Sequence, residues 1–135
     1  MFINALPFTR ATVAPFVNSA SADIDKLVRK YRRGMVNSLL EYLILNSLEN
    51  RTMCGYDIIT MLHERFHTLL SPGQVYPVID YMAQQGLIIK QREGRAVMLS
   101  NSPLGYSLLK ACRLEFSAIQ IQLRNLATQE LQTVQ

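Results

Sequence analysis

Ser71-Pro72-Gly73-Gln74 is a helix start spelled out in four residues. A serine followed by proline at the first helical position and by glutamine three residues on lets the two polar side chains satisfy each other's orphan backbone amides, a capping box. A second helix must close just ahead of it. After Gly55, the residues Ile58, Ile59, Leu62 and Phe66 recur at three- and four-residue steps, and the pattern gives out over His67 to Leu70. Two short helices around a brief turn restrict the chain to few folds, foremost a helix-turn-helix. In the capped helix, Val75, Val78, Ile79 and Met82 share one side. Gly73, Pro77, Asp80 and Gln84 lie opposite, flanked by Gln74, Tyr76 and Tyr81. Pro77 is expected to remove a backbone bond to the Gly73 carbonyl and bend the axis, and Gly86 to stop the helix.

The flanking segments complete the pattern. Beyond Gly34, Val36, Leu39, Leu40, Leu43, Ile44 and Leu48 make the apolar face of a first helix, ended by Asn50-Arg51-Thr52. Leu87 to Arg92 and Arg95 to Ser100 read as short strands joined through Glu93-Gly94, with Lys90, Arg92 and Arg95 charging the tip. Ser102-Pro103 caps a long final helix in which Leu109, Cys112, Phe116, Ile119, Leu123 and Leu126 form a seam, with Leu114, Ala118 and Ile121 beside it. That much apolar surface points to self-association as well as packing on the first helix. The expected fold is mainly α with a small β-hairpin: a winged helix-turn-helix domain plus a long C-terminal dimerisation helix. Its divisions are an irregular or flexible N-terminal arm at 1–22, the winged helix with a basic lead-in at 23–101, and the dimerisation helix at 102–135.

The strings Gly55-Tyr56-Asp57-Ile58-Ile59, Glu64-Arg65-Phe66, Leu70-Ser71-Pro72-Gly73-Gln74-Val75-Tyr76-Pro77 and Gln85-Gly86-Leu87-Ile88 together resemble the PadR family of transcriptional regulators. The resemblance spans roughly Leu39 to Leu109. It implies a homodimeric DNA-binding regulator, usually a repressor, whose C-terminal helix dimerises and helps enclose an effector. The chain departs from the family in having Val78-Ile79-Asp80-Tyr81 after Tyr76-Pro77, with no Lys or Arg from 71 to 89. Its second wing strand, Ala96-Val97-Met98-Leu99, lacks aromatics, and the chain lacks tryptophan, so a stacked planar effector has no support.

Charge agrees with an anionic partner. The 135 residues, 49% of them hydrophobic, suit one domain, and 14 Lys+Arg against 10 Asp+Glu leave +4. Five of those cations, Lys26, Arg29, Lys30, Arg32 and Arg33, crowd into the lead-in segment. On double-stranded DNA, base reading would fall to Gln74, Tyr76 and Tyr81 with Ser71 at the helix start. Phosphate neutralisation would fall to Lys30, Arg32, Arg33, Arg51, Arg92 and Arg95. Cys54 and Cys112 are too few for a disulfide framework and suit a reducing cytoplasm, where both read as packing thiols. No apolar run reaches the roughly 18 residues that span a bilayer. Ala20-Ser21-Ala22 resembles a cleavage site, but Arg10, Pro7 and Pro15 interrupt the apolar stretch a signal would need. Residues 1–22 therefore read as an arm docking Phe8, Val13, Phe16 and Val17 on the body.

One motif points to different chemistry. His63-Glu64-Arg65-Phe66-His67 satisfies H-E-x-x-H, the zinc-protease helix with two imidazoles one turn apart and a general base between them. The chain has no third histidine, and Phe66 falls on the core stripe, so the segment is expected to be structural, with no enzyme activity, metal or cofactor. The expected partners are double-stranded DNA, a second copy and an effector of unread identity. The alternative is a winged helix that binds protein, favoured by the acidic, arginine-free third helix.

Overall fold

The computed structural model describes residues 19–133 of the chain. Five helices and three short strands follow in the order α1 (Ser19–Ser38), α2 (Leu40–Ser47), β1 (Met53–Cys54), α3 (Gly55–Phe66), α4 (Pro72–Gln84), β2 (Ile88–Glu93), β3 (Ala96–Asn101) and α5 (Pro103–Thr133). The fold is mainly α with a small antiparallel sheet, a winged helix-turn-helix carrying a long C-terminal helix. Among the described residues no helix is long and apolar enough to cross a membrane.

The core forms where the apolar stripes meet. Ile44, Leu45 and Leu48 from the α2 region pack with Ile58 and Leu62 of α3, Val75, Ile79 and Met82 of α4, and Leu109 of α5, all nearly inaccessible to water. Burying each such side chain contributes roughly 1.5–3 kcal/mol. Leu109 therefore belongs to the chain's own core, which corrects its place in the expected dimer seam. Cys112 and Phe116 are half-buried against the body, and Phe116 stacks on Tyr42 with ring centroids 4.4 Å apart. Ile119, Leu123 and Leu126 remain exposed.

Three boundaries differ from the sequence reading. The basic lead-in and the first helix are not separate: α1 runs unbroken from Ser19 through Gly34 to Ser38 and takes in residues 19–22 of the expected arm. The rest of that arm, with Phe8, Val13, Phe16 and Val17, lies outside the described residues. A break falls instead at Leu39 (φ −98°, ψ 5°), where its N–H is shared between the Met35 and Val36 carbonyls at 3.1 and 3.2 Å. The Ser38 hydroxyl bonds back to the Gly34 carbonyl at 2.9 Å, a contact that bends helices. Secondly, the hairpin closes one residue later than expected. Glu93 pairs with Ala96, so the loop is Gly94-Arg95, with positive φ (61°) at Gly94 alone, the pattern of a type II′ turn. Thirdly, β1 adds a strand to the hairpin, pairing Met53 with Leu99 and Cys54 with Met98.

Helix α4 ends as Gly86 demands. With Gly86 at φ 73°, its N–H reaches the Ala83 carbonyl and the Leu87 N–H reaches Met82 (3.1 and 2.9 Å), a Schellman motif with buried Met82 and Leu87 as its apolar contact. The helix is continuous through Pro77.

Candidate nucleic-acid interface

Helix α4 is held from both ends and from the side. At its start, the Ser71 N–H and hydroxyl both donate to Gln74 Oε1, at 3.1 and 3.2 Å. The capping arrangement is thus present, and it uses the carbonyl half of the Gln74 amide, leaving the NH2 as the group able to address a base edge. At its end, the Ser102 hydroxyl lies 2.6 Å from the Gly86 carbonyl and 3.0 Å from that of Leu87, and accepts the Gly105 N–H at 3.0 Å.

The presented arc of α4 is the one the periodicity indicates: Gly73, Pro77, Asp80 and Gln84 are exposed opposite buried Val75, Ile79 and Met82. By helical phase Tyr76 borders one side of that arc and Gln74 and Tyr81 the other. Tyr76 is half-exposed because its ring lies on the backbone of Gly55: a Cβ there would come 2.7 Å from the ring. Gly55 is therefore needed for close approach, and one face of Tyr76 is fixed while the other stays open.

The wing is joined to α4 by charge. Lys90 of β2 forms an ion pair with Asp80. Beneath that pair a cleft of about 120 Å³ separates helix and sheet, its walls including Tyr76, Ile79, Val97 and Leu99. In the ladder Lys90 pairs with Leu99 and Arg92 with Val97, so these four side chains share a face of the hairpin, the one that carries buried Leu99 and the Asp80 contact. Arg92 lies two residues further out on that face, and Arg95 occupies the loop tip. Neither has an ion-pair partner among the described residues. Wing and α4 are thus in contact, and among the described residues the cations there without an ion pair, Arg92 and Arg95, belong to the wing. The Asp80–Lys90 link was not legible from spacing, since the two residues are ten apart on different elements.

The remaining candidate cations divide. Arg51 is folded onto the body, its Nε donating to the Ser47 carbonyl at 2.7 Å and a guanidinium NH2 reaching Met61 Sδ at 3.3 Å, so it caps the end of α2. Lys30, Arg32 and Arg33 are exposed on α1, which meets the body chiefly through α2, away from the α4–wing contact. The structure therefore sets Ser71, Gln74, Tyr76 and Tyr81 on α4, Arg92 and Arg95 further out on the wing that meets α4 through Lys90, and the α1 cluster on a helix that meets the body chiefly through α2.

The histidine motif loses its helical register. His63 lies in α3 and its Nδ1–H donates to the Thr68 carbonyl at 3.0 Å, closing the turn of the helix-turn-helix. His67 has already left the helix with φ 49°. The imidazoles do not stand on successive turns of one helix, and no cluster of three His, Cys, Asp or Glu side chains suited to a metal occurs among the described residues.

Across the molecule Arg113 of α5 holds Glu49 in a two-pronged ion pair, with one bond at 2.7 Å. The hydrogen bonds from Arg113 hold the Glu49 carboxyl below the usual glutamate range, partial burial opposing, and the guanidinium is raised in turn. The pair fixes how α5 leaves the body beside the Tyr42–Phe116 stack.

Residues 44–101 match the Transcriptional regulator PadR-like family. No curated protein gives a significant match. Among solved structures, the chain is similar to a PadR-like transcriptional regulator from Bacillus cereus (TM-score 0.65, 21% identity, covering 69% of this chain and 95% of that one). It is also similar to a PadR family transcriptional regulator from Eggerthella lenta (TM-score 0.62, 17% identity, 80% and 91%). A PadR family transcription regulator from Clostridium difficile gives 0.60, 20%, 65% and 97% on the same measures. At these identities the likeness establishes the fold.

Proposed function

With residues 44–101 a PadR-like transcriptional-regulator segment, we propose that this chain is a cytoplasmic, homodimeric, sequence-specific DNA-binding regulator of repressing type. The observation that carries the reading is the composite surface of α4 and the wing. A capped helix presents polar and aromatic groups, and the adjoining wing carries two arginines, Arg92 and Arg95, with no ion pair among the described residues. Placed in a major groove, α4 offers Gln74 and Tyr76 to base edges while the wing arginines neutralise adjoining phosphates. Phosphate contact orients the protein and base contact selects the site, so the two groups differ in salt dependence. Dimerisation through Ile119, Leu123 and Leu126 supplies the second half-site and uses side chains that are exposed among the described residues.

Fluorescence anisotropy against a selected operator and random duplex, over a range of salt, tests the division of roles. Arg92→Ala or Arg95→Ala weakens both DNAs together and lowers the log–log salt slope by about one. Tyr76→Ala costs roughly 1–3 kcal/mol on the operator and leaves the slope nearly unchanged. Ile119→Glu yields monomers in solution scattering, because a charge in an apolar interface is strongly unfavourable.

A second reading, a winged helix that docks protein, is favoured by Asp80 on the presented arc and by the absence of any cation on α4. It takes the lead if neither wing arginine alters affinity for any duplex.

A further inference from the structure

Asp80 is the one acidic residue of α4, and it stands on the presented arc. Along that arc Gly73 has no side chain, Pro77 has no hydrogen-bonding side-chain group, and Gln84 is the last residue of the helix. Asp80 therefore holds the polar position between the two ends.

Both members of the Asp80–Lys90 pair stand on fixed elements. Asp80 follows buried Ile79 on the helix, and Lys90 is tied into the β2–β3 ladder opposite Leu99. The Lys90 ammonium donates to Asp80 Oδ1, while Oδ2 has no hydrogen-bond partner among the described residues. The Asp80 side chain is also the more open of the two, 58% exposed against 39% for Lys90. A carboxylate has about four lone-pair sites, so the pair keeps acceptor capacity to spare. Its charge is already balanced by Lys90, and it can approach a polyanion without the repulsion that a lone carboxylate meets.

In a major groove, an acceptor that cannot donate discriminates among bases. Guanine presents two acceptors there, adenine an acceptor beside its donor, and thymine an acceptor beside a methyl group. Cytosine alone presents a donor, its N4 amino group, and no acceptor.

Resting on the DNA-binding reading above, we propose that Asp80 is a specificity-determining residue that accepts a hydrogen bond from a cytosine N4 amino group in each operator half-site, with Lys90 as the positioning residue that holds and neutralises it. The carboxylate works as a selector: it repels guanine or thymine at its position as well as favouring cytosine.

The test selects bound duplexes from a randomised double-stranded library with the full chain, and then measures competition among four synthetic duplexes that differ at one base pair per half-site. The wild type enriches cytosine at one position per half-site and prefers it about fivefold or more over each other base. Asp80→Asn moves that preference to adenine, whose N6 and N7 an amide matches, and leaves the other positions unchanged. Asp80→Ala loses the preference at that position. Lys90→Gln weakens binding to all four duplexes and narrows the preference, and Lys90→Arg, which keeps the cation, restores both. Asp80 and Lys90 are exposed, so circular dichroism should show the wild-type helix content in every variant. An Asp80→Asn protein that selects the wild-type sequence overturns the proposal, because an aspartate that only anchored the wing would change affinity without changing base choice. So does a position that depends on Asp80 yet prefers another base, and so does a Lys90→Gln protein with unaltered affinity and preference. In each of these cases an enriched operator leaves the DNA-binding reading standing. A wild-type chain that enriches no sequence overturns both.

Discussion

Gly105→Ala adds one methyl group where α5 crosses the start of the wing, and the structure has no room for it. An ideal Cβ would lie 2.0 Å from the Leu87 carbonyl oxygen, 3.0 Å from its carbon and 3.2 Å from Leu45 Cδ2. Carbon and carbonyl oxygen rest at about 3.3 Å or more, so α5 and the first residue of the wing must separate by over an ångström. That movement pulls the Leu87 carbonyl away from the Ser102 N–H and hydroxyl, now at 3.1 and 3.0 Å. Two lost hydrogen bonds cost about 1 kcal/mol each. Strain in the packing around Leu45 and Leu109 adds about 1–3 kcal/mol. The expected loss is about 3–5 kcal/mol, on the order of 10–20 °C in Tm for a domain of this size. Gly34→Ala is the control: it is a helical, exposed glycine with nothing within 4 Å of a new Cβ, so it should gain up to about 1 kcal/mol. Urea unfolding at matched chain concentration measures both. A Gly105→Ala protein within 1 kcal/mol of wild type would refute the reasoning.

Glu49→Gln should lower stability at neutral pH and flatten its loss in acid. Because Arg113 depresses the Glu49 pKa in the folded chain, its contribution is present above the ordinary value of 4.5 and is lost as pH falls through the lower folded value. The urea midpoints of wild type and variant, separated at pH 7, should therefore converge as pH falls below 4.5, and a constant gap would deny the pair that role. Asp80→Asn frees Lys90 and should raise affinity for random duplex and steepen the salt slope by about one; an unchanged slope would mean that this face of the wing looks away from the backbone. His63→Ala with His67→Ala should lower stability by about 1 kcal/mol through the lost Thr68 contact, with operator affinity within a few-fold of wild type and no stoichiometric zinc by elemental analysis before the change. One tightly held zinc per wild-type chain would reopen the metal reading.

What could be read in advance was local. Ser71, Pro72 and Gln74 define their helix start within four residues, and Gly86 ends the same helix through its own φ, so both boundaries follow from short-range chemistry. The hairpin loop was misplaced by one because Glu93-Gly94 and Gly94-Arg95 are both plausible turns, and only the ladder from Ile88–Asn101 to Glu93–Ala96 chooses between them. Strand β1 is two residues long and exists through its pairing with β3. The helical lead-in was hidden for another reason. Its apolar residues Ile24, Leu27, Val28, Tyr31 and Met35 are exposed and alternate along the sequence with five cations, so the run reads as a basic lead-in and not as part of the first helix. At the candidate site, the residues around α4 were legible because they lie on one short periodic helix. The Asp80–Lys90 and Glu49–Arg113 links, ten and 64 residues apart, were not.

The hydroxyl of Ser102 binds three parts of the molecule at one point: the carbonyl that ends α4, the carbonyl that begins the wing and the first turn of α5. A movement of α5 is therefore passed to the end of α4, the candidate reading helix. In a dimer clamped through α5, the distance between the two reading helices then behaves as a rigid ruler set inside each protomer, with no slack to absorb a mismatch. Operator half-sites would be tolerated at one spacing. Inserting a single base pair between them displaces the second site by about 3.4 Å and rotates it by about 35° around the duplex, and the protein can meet that change only by breaking the serine junction or releasing one half-site.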